Sequence, residues 1–201
     1  RTDPQTREPL VEHERLATAQ NGLLFLGDVP IFYWPYLATD LNDPTYYIRR
    51  FQLKNDLVFG TQVHTGWSTY QLLGIRHPPR GTDWDLSLDY LSKRGLGHGS
   101  TFRYKRPDLF DISGDASGLI DFYGIKDQGF DNLGWGRRHL LTGSDYRYRL
   151  FAQHRQALPN DFQLTAELGS VSDRNFLEEY FKREYNELKD ESTGIELKQI
   201  R

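Results

Sequence analysis

The chain has 201 residues, no Cys and no Met, a formal net charge of −3 and 14% aromatic residues. That composition excludes internal disulfides, thiolate metal sites and thiol nucleophiles, and it supplies no basic surface for general nucleic-acid binding. No run reaches the roughly 20 apolar residues of a membrane helix, which leaves a membrane β-barrel open, because barrel strands alternate and average to a polar sequence.

Residues 1–20, with Pro4 and Pro9 among mixed charges, read as a linker or an edge strand. Residues 22–37 are the most apolar block and contain "VPIFYWPY" (29–36), where Phe32, Tyr33, Trp34 and Tyr36 crowd around Pro30 and Pro35. A central strand disfavours proline, which removes a ladder donor, and a solvated loop disfavours so many aromatics. After the turn-rich "ATDLNDPTY" (38–46) the period is mostly two, with strands expected over 48–59, 61–73, 84–91, 100–105, 116–125, 146–156, 161–169 and, weakly patterned, 193–200.

"WDLSLDYL" (84–91) sets Trp84, Leu86, Leu88 and Tyr90 on one face against Asp85, Ser87 and Asp89 on the other. "STFRYK" (100–105) sets Phe102 and Tyr104 against Thr101, Arg103 and Lys105, and the glycines of "SKRGLGHG" suit the turn between the two strands. Matching both faces predicts Tyr90 opposite Phe102, Leu88 opposite Tyr104 and Asp89 opposite Arg103. In the next hairpin, turned by "ALPN", the same logic pairs Tyr148 with Leu168, Leu150 with Ala166 and Arg149 with Glu167. The polar faces thus carry Asp89, Arg103, Lys105, Arg147, Arg149 and Glu167, either as the lining of an aqueous lumen or as cross-strand ion pairs. "SDRNFLEEYFKREYNELKD" (172–190) spaces Leu177, Tyr180, Phe181, Tyr185 and Leu188 as an amphipathic helix, expected to pack at the mouth of the β structure. "GWGRRHL" (134–140) reads as a solvated loop with basic residues that can reach phosphates.

Alternation alone fits two architectures: a soluble β-sandwich with its apolar face in a core, or a membrane barrel with that face in lipid. The segments "DVPIFYWPYL", "DWDLSLDYLSKRGLGHGSTFRY" and "LFAQHRQALPNDFQLTAELGSVSDRNFLEEYF" occur in the order found in the LptD/OstA family of outer-membrane proteins, which assemble lipopolysaccharide. The chain resembles that family from about residue 22 to about residue 185. The resemblance implies an all-β partial chain: the end of a periplasmic jelly roll (1–28), then the first antiparallel strands of a transmembrane barrel (29–201). It implies lateral release of lipopolysaccharide into the outer leaflet, an LptE-like plug lipoprotein and an LptA-like periplasmic bridge as partners, and an outer-membrane location with a periplasmic N-terminal part. Pro30, Phe32, Tyr33, Trp34, Pro35 and Tyr36 would then form the lipid route or lateral gate. The family commonly places another proline in the following strand, where this chain has "RRFQLKNDLVFG" with Lys54. The alternatives are a general outer-membrane channel and a soluble binding module.

The histidines, His13, His64, His77, His98, His139 and His154, are scattered without metal-ligand spacing. No nucleophile elbow, phosphate-cradling loop or paired catalytic carboxylates occur, so no enzyme activity, metal or cofactor is expected.

Overall fold

The computed structural model describes residues 16–26, 29–40, 47–75, 77–186 and 193–200. The chain divides into two units, Arg1–Tyr46 and Tyr47–Arg201. In the first, β1 (Leu16–Leu26) and β2 (Val29–Asp40) form a two-stranded antiparallel sheet. The "VPIFYWPY" stretch is therefore strand, and its prolines mark where the ladder fails. The register shifts between Leu24 and Phe25, opposite Phe32 and Pro30. The ladder also passes over the position between Gly22–Trp34 and Gln20–Tyr36, where Pro35 meets Asn21 in a left-handed conformation (φ 54°). Proline has no N–H to give, which accounts for the irregular ladder at each one.

The second unit is an eight-stranded antiparallel sheet in which every strand pairs with its sequence neighbours, in the order β10-β9-β8-β7-β6-β5-β4-β3. The strands are β3 (Ile48–Asp56), β4 (Gly60–Ser68), β5 (Thr82–Leu91), β6 (Gly95–Leu109), β7 (Ile112–Lys126), β8 (Tyr146–Leu158), β9 (Phe162–Val171) and β10 (Gly194–Gln199). At the end where Ile48 enters, the connections are 69–81, which holds the one-turn α1 (Thr69–Leu72), then Phe110–Asp111 and 159–161. At the opposite end lie 57–59, 92–94 and the long connections 127–145 and 172–193. Phe110 and Asp111 both have positive φ (55° and 59°), the geometry of a two-residue hairpin turn whose twist matches its strands.

The faces fall as the alternation predicts, but both predicted registers need correction. Tyr90 lies opposite Leu96, not Phe102, Leu88 opposite His98, not Tyr104, and Arg103 opposite Asp83, not Asp89. The turn is confined to Ser92–Arg94, so Gly95, Gly97 and Gly99 belong to β6 rather than to the turn. They are needed there: a Cβ on Gly97 would lie 2.3 Å from the Tyr123 hydroxyl, and one on Gly99 would lie 2.9 Å from the Phe122 carbonyl. In the second hairpin Leu158 meets Phe162, which puts Glu167 opposite Gln153 instead of Arg149, Leu168 opposite Ala152 instead of Tyr148, and Ala166 opposite His154 instead of Leu150. Its turn, 159–161, contains Asn160 and Asp161 at φ 62° and 60°. Each slip is by an even number of residues, so no side chain changes face.

The apolar face is open. Leu53, Leu88 and Leu96 are 57–68% exposed, and Ile120, Leu168 and Leu197 also lie uncovered on that face. Aromatic rings gather on it in two groups. Tyr70, Trp84, Phe102, Tyr104 and His154 follow one another near the entry end, at centroid spacings of 6.0–6.3 Å. His98, Phe122, Tyr146 and Tyr148 do so toward the other end. The hydrophobic cluster of Leu91, Ile125 and Phe176 instead sits on the face that carries the charges. It is roofed by the segment after β9, which is not the continuous helix over 172–190 that the spacing predicts. Within the described residues it forms two short helices, α2 (Phe176–Tyr180) and α3 (Lys182–Asn186). Phe181 breaks between them (φ −124°, ψ 44°) and turns its ring edge-on to Tyr123 at 5.7 Å. The break lets Phe176, Tyr180 and Phe181 all face the sheet, which one straight helix does not allow.

Candidate functional site

At the long-loop end the charged face closes into a largely buried network. Arg147, on β8, is fully buried, with Nη1 donating to Asp127 at 2.9 Å and to Asp131 at 2.6 Å. Its Nε and Nη2 donate to the two oxygens of Asp173 at 2.8 and 2.9 Å. Arg94, from the β5–β6 turn, donates to Asp127 at 3.2 Å and to Glu179. The Tyr180 ring lies beside both guanidiniums, 5.8 Å from that of Arg94 and 5.6 Å from that of Arg147. The Phe59 ring lies 5.3 Å from the Arg94 guanidinium and the Phe176 ring 5.4 Å from that of Arg147.

Four carboxylates (Asp127, Asp131, Asp173, Glu179) meet two guanidiniums here. Neutral donors make up the difference: the Tyr180 hydroxyl and Gly129 N–H to Asp127, the Ser172 hydroxyl and Asn175 N–H to Asp173, and Asn132 N–H to Glu179. Burial pushes Asp127 and Asp173 up, but the bonds from Tyr180, Gly129 and Arg147 to the first, and from Arg147 and Ser172 to the second, hold both below the ordinary carboxylate range. For Glu179 burial prevails over its Asn132 N–H bond and the Arg94 charge, and its carboxyl is raised.

Beside this network the charged face holds a groove of about 410 Å³, lined by His64, Asp89, Arg103, Asp121, Tyr123 and Phe181 among others. Asp89 is buried and bonds His64 Nδ1 at 3.0 Å. Arg103 reaches Asp83 and Asp85 at 3.4 and 3.5 Å, and Arg49 joins the same two carboxylates at 2.6 and 2.9 Å. Arg149 bonds Asp121 at 2.6 Å and Glu184 at 2.7 Å, while Glu167 accepts from Gln153.

Asp89, Arg103, Lys105, Arg147, Arg149 and Glu167 thus all lie on one face, but Asp89 does not stand opposite Arg103, nor Arg149 opposite Glu167. Pro30, Phe32, Tyr33, Trp34, Pro35 and Tyr36 lie together on β2. Of their side chains only Tyr33 is described: it is half exposed, and its hydroxyl donates to Asn21 Oδ1 at 2.5 Å. Sequence reasoning missed Arg94, Asp127, Asp131 and Glu179. A signal was present, because "SKRG" and "VSDRNF", distant in sequence, supply Arg94, Ser172, Asp173 and Phe176 to one cluster.

No family model matches the chain. The chain is similar to the LPS-assembly protein LptD of Bordetella avium, 31% identical over 165 residues, covering 81% of this chain and 17% of that protein. It is also similar to that of Bordetella pertussis, 31% identical over 168 residues (81% and 18%), and to that of Pseudoalteromonas atlantica, 24% identical over 176 residues (86% and 20%). The chain spans a fifth or less of the length of these relatives.

Proposed function

From the premise that this chain is related, over four fifths of its own length, to one segment of the LPS-assembly proteins LptD, we propose that it forms part of an outer-membrane translocon that delivers lipopolysaccharide to the outer leaflet. It moves a lipid and makes no covalent change. The observation that carries this reading is the inversion of the sheet, whose apolar face lies open with two groups of aromatics while ion pairs and loops fill the charged face. That arrangement suits strands set between lipid and an aqueous lumen, with aromatics at both interfaces.

The connections orient the sheet in this reading. Membrane barrels turn tightly on the periplasmic side and carry long loops outside. The end where Ile48 enters, with 69–81, Phe110–Asp111 and 159–161, then faces the periplasm, and the two longest connections, 127–145 and 172–193, face outward. The N-terminal unit becomes the end of the periplasmic bridge, joined to an LptA-like partner, and the charged face becomes the lumen wall that an LptE-like plug would meet.

Within this reading β2 lies on the lipid route, and its weakened ladder at Pro30 and Pro35 eases release toward the barrel. A photo-crosslinking residue at Tyr33 in the full-length protein, in cells making lipopolysaccharide, tests the route. A lipopolysaccharide adduct that disappears when the transport bridge loses its energy source is the expected result. Absence of an adduct at Tyr33, with adducts at contact points elsewhere in the protein, removes β2 from the route. Replacing Pro35 with Val completes the ladder and should slow lipid display, and unchanged envelope permeability would dismiss the gate.

A further inference from the structure

We propose that the hairpin at residues 131–140 is an interfacial anchor that docks on the anionic, phosphate-bearing head groups of the leaflet surrounding the protein. The inference rests on reading the sheet as part of a membrane barrel.

The hairpin is well fixed at its foot. Asp131, buried against Arg147, exchanges both backbone hydrogen bonds with Leu140, at 2.9 and 3.2 Å. Closer to the tip, Leu133 N–H donates to the Arg137 carbonyl at 2.9 Å, and Arg137 N–H to that of Gly134 at 3.1 Å. Gly134 and Gly136 flank Trp135 with φ of 112° and 77°, conformations that residues with a Cβ rarely adopt. This held backbone presents Trp135 96% exposed, and Leu141 just beyond the hairpin is 82% exposed. A large apolar side chain displayed on an ordered scaffold marks an interaction surface.

The charge pattern selects the partner. From 132 to 144 there is no Asp or Glu, while Arg137, Arg138 and His139 follow Trp135 almost directly. Arg137 is held by Glu178 at 3.0 Å, whereas Arg138 is exposed without an acidic partner among the described residues. Tryptophan prefers the boundary between hydrocarbon and water, and basic residues beside it favour an anionic surface. The hairpin belongs to the connection that leaves the sheet at the strand end where His98 and Tyr146 lie on the apolar face.

The test uses the full-length protein reconstituted in vesicles of phosphatidylcholine alone or mixed with phosphatidylglycerol, with an environment-sensitive fluorophore on W135C or, separately, on L88C. Nitroxide on the lipid head group should quench the W135C probe, more strongly when phosphatidylglycerol is present. The R138Q change should reduce that anionic-lipid gain about fivefold, the effect of one basic residue near a charged membrane. Nitroxide deep in the acyl chains should quench the L88C probe. If L88C is quenched while W135C responds only to soluble iodide, the hairpin tip stands in water or against a protein and the anchor is wrong. If L88C escapes the deep nitroxide, the membrane reading falls and takes the anchor with it.

Discussion

Arg147 shows how much one side chain can be asked to hold. It meets carboxylates from the start of one long connection (Asp127 and Asp131) and from another (Asp173), so its removal leaves two buried anions and one partly buried anion without their main counter-charge. Breaking a buried pair costs about 3–5 kcal/mol, because the remaining charge is left unsolvated. R147A should therefore lower the urea midpoint of the detergent-folded full-length protein well beyond what R155A does, since Arg155 is exposed and bonds the neutral Gln163. Equal midpoints would show that the network does not hold the loops. R147K should recover little, because an ammonium cannot serve both Asp173 oxygens and the two neighbouring carboxylates in one plane. A second residue-scale case is Gly118. A Cβ there would lie 2.3 Å from the Tyr104 hydroxyl, which is itself bonded to His154 Nδ1 at 2.5 Å. G118A should cost about 1–3 kcal/mol, and most of that should vanish in a Y104S background. A penalty that persists there would place its origin in the backbone rather than in the ring.

The elements show which parts of the fold were legible in the chain. Strand faces were, because a period of two is local and survives any even slip in register. Register was not: Gly95, Gly97 and Gly99 look like a turn, yet they are strand positions left empty for Tyr123, Phe122 and a bulky neighbouring strand. The ion pairs were partly legible. Arg103 and Arg149 were placed on the correct face, but the partners of Arg149, Asp121 and Glu184, come from a different strand and from α3. The 172–186 segment misled because its aromatics suit a helix until three of them must reach the same sheet. Its seat should respond to acid in a defined way. Asp127 and Asp173, held below the ordinary carboxylate range, contribute stability that is complete above the unfolded value of about 3.9 and is lost as pH falls through their folded values. Glu179, raised, has the opposite sign, since its ionised form is disfavoured by folding and acid relieves that cost. Amide exchange across 173–186 should thus stay slow from neutral pH down to about 4 and quicken below. Loss of protection beginning near pH 6 would contradict the assigned directions.

On the scale of the whole sheet, neither margin is paired with a further strand among the described residues. β3 and β10 end the strand order, and their residues are exposed throughout. With open edges and an open apolar face, residues 47–201 expressed alone should precipitate from buffer and recover β circular dichroism only in detergent. A soluble, monodisperse product would favour a sandwich and count against the membrane reading. Strands that pair only with their chain neighbours carry a further consequence, for the order of assembly. The sheet can lengthen hairpin by hairpin, with a single advancing margin. Arg94 is in place once β5 and β6 have paired, yet Glu179 reaches it 85 residues further along the chain. Until then the guanidinium stays hydrated, and the wall around it stays wet. Drying of that corner is a late event, a mark that the ninth strand has passed.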